Sequence, residues 1–213
     1  MSIKQQTIDR ILKEKIVAIV RLDAAERVEP TIEAIHAGGL SVIEVTMGTP
    51  QVIQHIERYA HHPSVLIGAG SVTDAEAARI AILAGAKFIV TPISKASIIE
   101  TASLYRVPVF SGAFTPGEIL QAYEWGADVI KVFPADIVGM SYFKAIKAPM
   151  PFLPLMPTGG VTLDNANDWL KAGACALGVG SALTDRRAIA SGDYQQVTRN
   201  AQRLREIVTT TET

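Results

Sequence analysis

The sequence is poor in several features that would mark particular classes of protein. It has one cysteine, Cys175, which excludes an intrachain disulfide and a cysteine-based metal cluster. Its 20 basic and 21 acidic residues nearly cancel, so its charge gives no reason to expect nucleic acid or a membrane as a partner. No apolar run reaches the roughly 18 residues of a membrane span, and residues 1–10 lack the apolar core of a signal peptide. We therefore expect a cytoplasmic protein.

A helical stretch, a glycine and an apolar strand recur in this order four times. The glycines are Gly38, Gly85, Gly126 and Gly173, which lie 47, 41 and 47 residues apart. Glycine after a helix allows the left-handed conformation that ends it. A period of about 45 residues is too long for one βα unit and fits two. Of the 213 residues, 48% are hydrophobic and 19% charged, and no linker divides the chain, so we predict one domain over residues 1–213.

The individual segments predict the architecture. Eight apolar runs predict strands, at residues 16–20, 41–46, 65–67, 88–90, 107–110, 129–133, 152–156 and 175–177. Helical periodicity occurs at 31–37, 51–60, 75–84, 97–105, 118–125 and 165–171, and 195–208 predicts a closing helix with a frayed, Thr-rich tail. Thr73, with Glu76 in capping-box spacing, and Asp164 are the expected N-caps. The alternation predicts an α/β fold, a single-domain (β/α)8 TIM barrel. A doubly wound open sheet is the alternative. It is less favoured, because the sequence lacks the Gly-rich turn that such a fold carries after its first strand.

Lys131 is unusual because it stands inside the apolar run 129–133. A strand that is apolar on both faces is typical of a parallel sheet covered by helices. An ammonium group there is costly unless it is paired or loses its proton, and a neutral amine is the nucleophile of Schiff-base enzymes. The alternative is a lysine that extends from the strand end or forms a structural ion pair.

Glu44 interrupts the second predicted strand in the same way, and Thr46 shares its face, because side chains alternate along a strand. If these faces point into a barrel, Glu44 meets Lys131 across the mouth. A carboxylate beside an amine can carry protons to and from it. A buried structural ion pair is again the alternative.

Glycine and hydroxyl residues follow the seventh and eighth strands, at Thr158-Gly159-Gly160 and Gly180-Ser181. Bare backbone N–H groups favour phosphate, and the loops after these two strands are its usual position in such barrels. Arg21, after the first strand, is either an anion clamp or a surface arginine, and Ser71 follows the glycines of the third strand. The four histidines, His36, His55, His61 and His62, suit surface or packing positions, as Cys175 suits a core position, and we expect no metal.

Six stretches, taken together, resemble a known family. They are Glu44-Val45-Thr46, Gly68-Ala69-Gly70-Ser71-Val72, Thr91-Pro92, Ile130-Lys131-Val132-Phe133-Pro134-Ala135, Pro157-Thr158-Gly159-Gly160-Val161 and Gly178-Val179-Gly180-Ser181. Over residues 16–182 the chain resembles the 2-keto-3-deoxy-6-phosphogluconate (KDPG) / 4-hydroxy-2-oxoglutarate (KHG) aldolase family. The resemblance implies a class I aldolase on a (β/α)8 barrel, a homotrimer of Entner–Doudoroff carbohydrate metabolism that needs neither metal nor cofactor.

The resemblance also implies roles for single residues. Lys131 matches the Schiff-base lysine of the family, and Glu44 matches its proton-shuttling glutamate. The remaining matches bind the 2-oxo acid sugar substrate: Thr46, Ser71, Pro92 and Phe133 near the pyruvate pocket, Thr158, Gly159, Gly160, Gly180 and Ser181 at the phosphate end, and Arg21, an arginine found in part of the family. Ser71 replaces a more usual threonine and keeps the hydroxyl. Gly48 stands where many members carry a substrate-binding arginine, which leaves the exact substrate open.

The reaction implied is cleavage of KDPG to pyruvate and glyceraldehyde 3-phosphate, with KHG cleavage to pyruvate and glyoxylate as a further activity. An aldolase for the phosphogalactonate isomer is one alternative, because that branch also lacks the arginine. Others are a phosphate-binding barrel enzyme of the thiamin-phosphate-synthase type and a non-catalytic sugar-phosphate binding protein. Neither of these accounts for a lysine and a glutamate at strand ends.

Overall fold

The computed structural model describes residues 1–210 and forms a parallel eight-stranded barrel surrounded by helices. The strands are β1 (Ile16–Val20), β2 (Val42–Thr46), β3 (Leu66–Gly70), β4 (Ile89–Val90), β5 (Val109–Ala113), β6 (Val129–Val132), β7 (Leu155–Pro157) and β8 (Leu177–Val179). They pair in the order β7-β6-β5-β4-β3-β2-β1-β8, and a parallel bridge between Thr158 and Gly178 joins the two ends. The predicted (β/α)8 barrel is confirmed, and the open doubly wound sheet is wrong.

The helices cover the outside of the barrel. Those of the described residues are α1 (Ile3–Glu14), α2 (Val28–Ala37), α3 (Val52–Tyr59), α4 (Ala75–Leu83), α5 (Ala96–Leu104), α6 (Pro116–Glu124), α7 (Ala135–Lys147), α8 (Ala166–Lys171), α9 (Arg186–Ser191) and α10 (Tyr194–Thr210). All seven predicted helices form, whereas α1, α7 and α9 were not predicted. Residues 209 and 210 continue α10, while 211–213, the rest of the expected Thr-rich tail and of the predicted domain span, lie outside the described residues. Within residues 1–210, no helix has both the length and the apolar character needed to cross a bilayer.

Two N-caps differ from the prediction. Asp74, rather than Thr73, caps α4, because its carboxylate accepts a hydrogen bond from the Ala77 backbone N–H at 2.7 Å. Asn165 occupies the N-cap position of α8, and the Asp164 carboxylate instead accepts a hydrogen bond from Arg203 at 3.4 Å. Both candidates at each site are cap-forming residue types, so only the backbone path decides between them.

The seventh and eighth strands begin later than the sequence predicted, at Leu155 and Leu177. The run 152–156 contains Pro154, and Phe152 is 56% exposed rather than inside the sheet. Its ring packs on that of Tyr123 in α6, with 5.4 Å between the ring centroids. Two apolar residues beside a proline therefore belong to the turn before β7.

Alternation along the strands divides the apolar residues into two layers. Residues such as Ile43, Val45, Ile130 and Val132 face the helices. The residues of alternate register fill the lower barrel, together with Ile11 of α1: Val17, Val42, Leu66, Phe88, Val90, Phe110, Val129, Met156 and Ala176. Each fully buried large side chain of this kind contributes about 1.5–3 kcal/mol. This inner cluster is apolar, so the polar side chains that point into the barrel lie toward the C-terminal ends of the strands.

Candidate active site

Lys131 and Glu44 face each other across the C-terminal mouth of the barrel. β2 and β6 are four places apart in the ring of eight strands, so their inward side chains point at one another. Glu44 is 1% exposed and Lys131 is 4% exposed, which excludes a lysine that reaches out to solvent. Among the described residues, neither carboxylate oxygen of Glu44 has a hydrogen-bond partner. The two groups therefore interact through space without forming a hydrogen-bonded structural ion pair.

The electrostatics of both groups favour the neutral forms. Burial raises the pKa of Glu44 above its ordinary value of 4.5, and the positive charges of Lys131 and Arg21 only partly offset this. Burial also lowers the pKa of Lys131 from its ordinary value of 10.5; Glu44 opposes this change, and Arg21 adds to it. A neutral amine beside a protonated carboxyl group is a nucleophile with a proton donor in reach. This pair can therefore perform the chemistry that the sequence suggested.

Arg21 lies at the end of β1 beside this pair. Its Nη2 donates a hydrogen bond to the Ser71 hydroxyl at 3.1 Å, which ties the ends of the first and third strands together. Its charge acts on both Glu44 and Lys131. Since Ser71 and Arg21 were both predicted to bind substrate, the structure brings together the two groups that the sequence placed 50 residues apart. A carboxylate is the anion that fits such a guanidinium beside a hydroxyl donor.

The glycine turns after β7 and β8 form one cradle. Within the described residues, the backbone N–H groups of Gly159, Gly160, Gly180 and Ser181 donate to no acceptor. The hydroxyl of Thr158 is buried and also lacks a partner. Gly159 and Gly160 have φ of 95° and 71°, where L side chains are disfavoured, and the turn packs closely on Asp136 of α7. Unpaired N–H groups of neighbouring glycine turns that line one cleft can bind an anion such as phosphate.

A cleft of about 210 Å³ lies over this cradle. Its wall includes Arg21 and Phe133, and the Phe133 ring lies 5.3 Å from the Lys131 amine. The remaining wall residues are Ile19, Thr158, Gly159, Gly160, Val161, Gly178, Gly180, Ser181, Thr184 and Arg186. The cleft thus brings the anion cradle onto one wall with Arg21 and Phe133, the two lining residues that interact with Lys131.

Two predicted site residues lie apart from this cleft. Thr46 is buried, and its hydroxyl is 3.1 Å from that of Thr49. Pro92 packs its backbone against Gly112 and lines a neighbouring cleft of about 530 Å³, which Phe133 also borders. Phe133 is therefore the residue common to both spaces. The other ten predicted residues either line the 210 Å³ cleft, form the pair of Lys131 and Glu44, or, in the case of Ser71, bond to Arg21 of the cleft.

The sequence analysis missed Arg186 and Thr184, which follow β8. Neither belongs to a predicted element, and α9 was not predicted, so no periodic signal marked them. The Thr184 backbone N–H and hydroxyl both donate to the Gly180 carbonyl, at 2.9 and 3.1 Å. These bonds fix the turn that presents the Ser181 N–H to the cleft.

The remaining reactive residues lie elsewhere. Burial raises the pKa of the Cys175 thiol to about 12, as expected of a core residue. His55 is buried between α2 and α3, with Nδ1 3.7 Å from a Glu29 oxygen. In the described part of the chain, no three His, Cys, Asp or Glu side chains come together as a metal site requires.

Comparison with known proteins identifies the family. A sequence model described as "Aldolase: KDPG and KHG aldolase" matches residues 8–200. The chain is 33% identical over 199 residues to the 2-dehydro-3-deoxy-phosphogluconate aldolase of Pseudomonas aeruginosa, covering 92% of this chain and 90% of that protein. It is also 33% identical over 174 residues to the 2-dehydro-3-deoxy-6-phosphogalactonate aldolase of Escherichia coli, covering 80% and 85%.

A solved structure gives the same answer. The KDPG aldolase from Legionella pneumophila, which holds pyruvate as a covalent carbinolamine, superposes with a TM-score of 0.85 at 26% identity, covering 92% of this chain and 97% of that one. The cleft with its opposed lysine and glutamate stands on the same barrel. The chain belongs to the KDPG and KHG aldolase family.

Proposed function

We propose that this protein is a class I aldolase that cleaves KDPG to pyruvate and glyceraldehyde 3-phosphate. The observation that carries the proposal is the pair formed by Lys131 and Glu44. Both are buried, and burial shifts the pKa of each toward its neutral form. Phe133, which lies against the Lys131 amine, also lines the cleft that contains the anion cradle. A lysine in this state is a nucleophile for a ketone.

The reaction begins when the Lys131 amine attacks C2 of the 2-oxo acid to give a carbinolamine. Protonated Glu44 then donates its proton to the C2 hydroxyl, which leaves as water while the C–N bond becomes a protonated imine. This step leaves Glu44 as a carboxylate. Its raised pKa suits it to hold the proton before this step.

The protonated imine is an electron sink for cleavage of the C3–C4 bond. The Glu44 carboxylate removes the proton of the C4 hydroxyl through a bridging water, the C4–O bond becomes the aldehyde carbonyl, and the C3–C4 electrons move to form an enamine. Glyceraldehyde 3-phosphate leaves. Glu44 then returns its proton to C3 and becomes a carboxylate. Water adds to C2 of the resulting protonated imine, pyruvate and the free Lys131 amine are released, and Glu44 takes up the proton that this hydrolysis sets free.

The two anionic ends of the substrate fit two separate groups of residues. The carboxylate pairs with Arg21 and the Ser71 hydroxyl, which are 3.1 Å apart. The phosphate accepts hydrogen bonds from the turns that contain Thr158, Gly159, Gly160, Gly180 and Ser181. Phe133 covers the pyruvate portion, and Pro92 borders the neighbouring cleft that Phe133 also lines.

Cleavage of the phosphogalactonate isomer is the second candidate function. At Gly48, where many relatives have a substrate-binding arginine, an added Cβ would meet no atom within 4 Å. No arginine at this position therefore selects between the two configurations at C4. Cleavage of KHG is a further activity, because the imine chemistry needs only the 2-oxo and 4-hydroxy groups.

The assembly and the location are also proposals. A homotrimer is supported by membership of the family and by exposed apolar side chains on the helices, such as Leu83 at 65% and Leu104 at 84%. Light scattering of the purified protein tests it. A cytoplasmic location is supported by the substrate, because a doubly anionic sugar acid does not cross a bilayer unaided. Cell fractionation tests this second proposal.

Borohydride trapping tests the proposed function. Reduction in the presence of pyruvate should leave a pyruvate adduct on Lys131, located by peptide mass spectrometry, and the Lys131→Ala variant should carry none. Pyruvate release from KDPG, followed by coupling to lactate dehydrogenase, separates an aldolase from a binding protein. A folded protein that forms no adduct and releases no pyruvate would contradict the proposal.

A further inference from the structure

Arg186 lines the cleft and follows β8 in the chain. It is the first residue of α9, and the Asp185 carboxylate that precedes it accepts a hydrogen bond from the Ala188 N–H at 2.7 Å. Asp185 is therefore engaged in capping its own helix. The side chain of Arg186 lines the cleft, whereas that of Arg187, the next residue, does not.

The guanidinium of Arg186 is unpaired. Within residues 1–210, it forms no hydrogen bond and no ion pair. Arg21, the other arginine of the cleft, differs in this respect, because it donates to Ser71 and its charge acts on Lys131 and Glu44. Arg21 is thus engaged with the groups around Lys131, whereas Arg186 is free to meet a ligand.

The groups around Arg186 also lack partners. The backbone N–H groups of Gly159, Gly160, Gly180 and Ser181 donate to nothing in the described chain, and the Thr158 hydroxyl, 6% exposed by residue, is buried and unpaired. An unpaired cation that shares a wall with four free N–H donors and a buried hydroxyl suits a dianion rather than a neutral group.

We propose that Arg186 is a specificity-determining residue that pairs with the phosphate of the substrate and gives the enzyme its preference for phosphorylated over unphosphorylated 2-keto-3-deoxy sugar acids. This inference rests on the proposed function. A guanidinium can bind two phosphate oxygens at once and carries a full positive charge. The backbone N–H donors carry no such charge. The aldehyde portion of an unphosphorylated substrate carries no charge and gains nothing from this group.

The chain supplies its own matched control, because Arg187 carries the same charge one residue away. Arg186→Gln should lower kcat/KM for KDPG by about 10- to 100-fold, the range of one charge-assisted hydrogen-bonded contact. The same variant should leave kcat/KM for unphosphorylated 2-keto-3-deoxygluconate within about twofold, and Arg187→Gln should change neither value. Arg186→Lys should recover part of the loss, because it restores the charge without the forked geometry.

Binding of glyceraldehyde 3-phosphate, measured by calorimetry, distinguishes this inference from the proposed function. If borohydride traps pyruvate on Lys131 but Arg186→Gln binds the phosphorylated aldehyde as well as wild type, the inference is wrong and the aldolase stands. If no adduct forms, the proposed function fails, and weaker binding of the aldehyde to Arg186→Gln than to Arg187→Gln still supports the phosphate contact. Equal losses for both substrates, or for both arginine variants, would overturn it.

Discussion

Gly70 leaves room for the carboxylate of Glu44. The two residues lie on the neighbouring strands β3 and β2, and a Cβ at Gly70 would overlap Oε1 of Glu44. No hydrogen bond from the described residues positions this carboxylate. The absence of a side chain at Gly70 therefore sets where Glu44 can point, and glycine is required there for space rather than for backbone conformation.

Gly70→Ala tests this relationship. The added methyl group must displace the Glu44 carboxylate from the mouth of the barrel, so we expect kcat for KDPG cleavage to fall about 10²-fold, within the usual contribution of acid–base catalysis. Overpacking should lower the free energy of unfolding by about 1–3 kcal/mol. Steady-state kinetics and urea unfolding measure the two effects. Gly117→Ala is the control, because a Cβ there meets no atom within 4 Å. Unchanged kcat in Gly70→Ala would show that the carboxylate does not need this position.

Lys131→Met removes the amine and keeps a side chain of similar length in the apolar strand. We expect complete loss of the pyruvate adduct and of pyruvate release, whereas the circular dichroism spectrum should be that of the folded wild-type protein. The fold should persist because the buried Lys131 side chain, 4% exposed, forms no hydrogen bond with any other described residue. Lys171→Met, on the outer surface of α8, is the control and should keep full activity. Retained turnover in Lys131→Met would refute the imine mechanism.

Much of this site follows from strand periodicity. Lys131 and Glu44 interrupt short apolar runs, and a side-chain period of two places both on inward faces, so their meeting could be predicted before the fold was seen. The glycine turns after the last two strands could likewise be predicted to bind phosphate, because these two loops are its usual position in such a barrel.

The parts that were missed depend on contacts that local sequence does not encode. α7 follows Pro134 and is interrupted at Gly139, with φ of 72° and ψ of 178°, so two helix-breaking residues hide it. α1 is polar on average and buries only Thr7 and Ile11, so no apolar stretch marked it. Arg186 is identified as a wall of the cleft only by the way the loop after β8 folds back.

Glu44→Gln should lower kcat by about 10²–10⁴-fold, because the amide can neither donate nor accept the shuttled proton. It should also change the pH dependence of stability. Burial raises the pKa of Glu44 in the folded state above the value of 4.5. Wild type therefore has the full stability of this site below about pH 4.5 and loses it as pH rises through the folded pKa. The advantage of the Gln variant should grow upward from pH 4.5, as measured by urea unfolding at pH 4.5 and pH 8. A difference that is constant with pH would mean that Glu44 ionises as freely in the folded state as in the unfolded chain.

Ser71 combines a hydroxyl that is bonded to Arg21 with a strained backbone, and one substitution separates the two. Its φ is 55°, in the left-handed region that costs a non-glycine residue of order 1 kcal/mol, and its hydroxyl accepts the hydrogen bond from Arg21. Ser71→Gly keeps this conformation but removes the anchor of Arg21. We expect an unfolding free energy equal to or above that of wild type, together with a KM for KDPG and KHG that is about 5- to 10-fold higher, since one hydrogen bond to a charged group is lost. Ser71→Ala is the matched comparison, because it removes the hydroxyl and keeps the strain, so it should raise KM by the same factor and lower stability relative to the glycine variant. A KM that rises in the alanine variant alone would assign the effect to the backbone and not to the bond between Ser71 and Arg21.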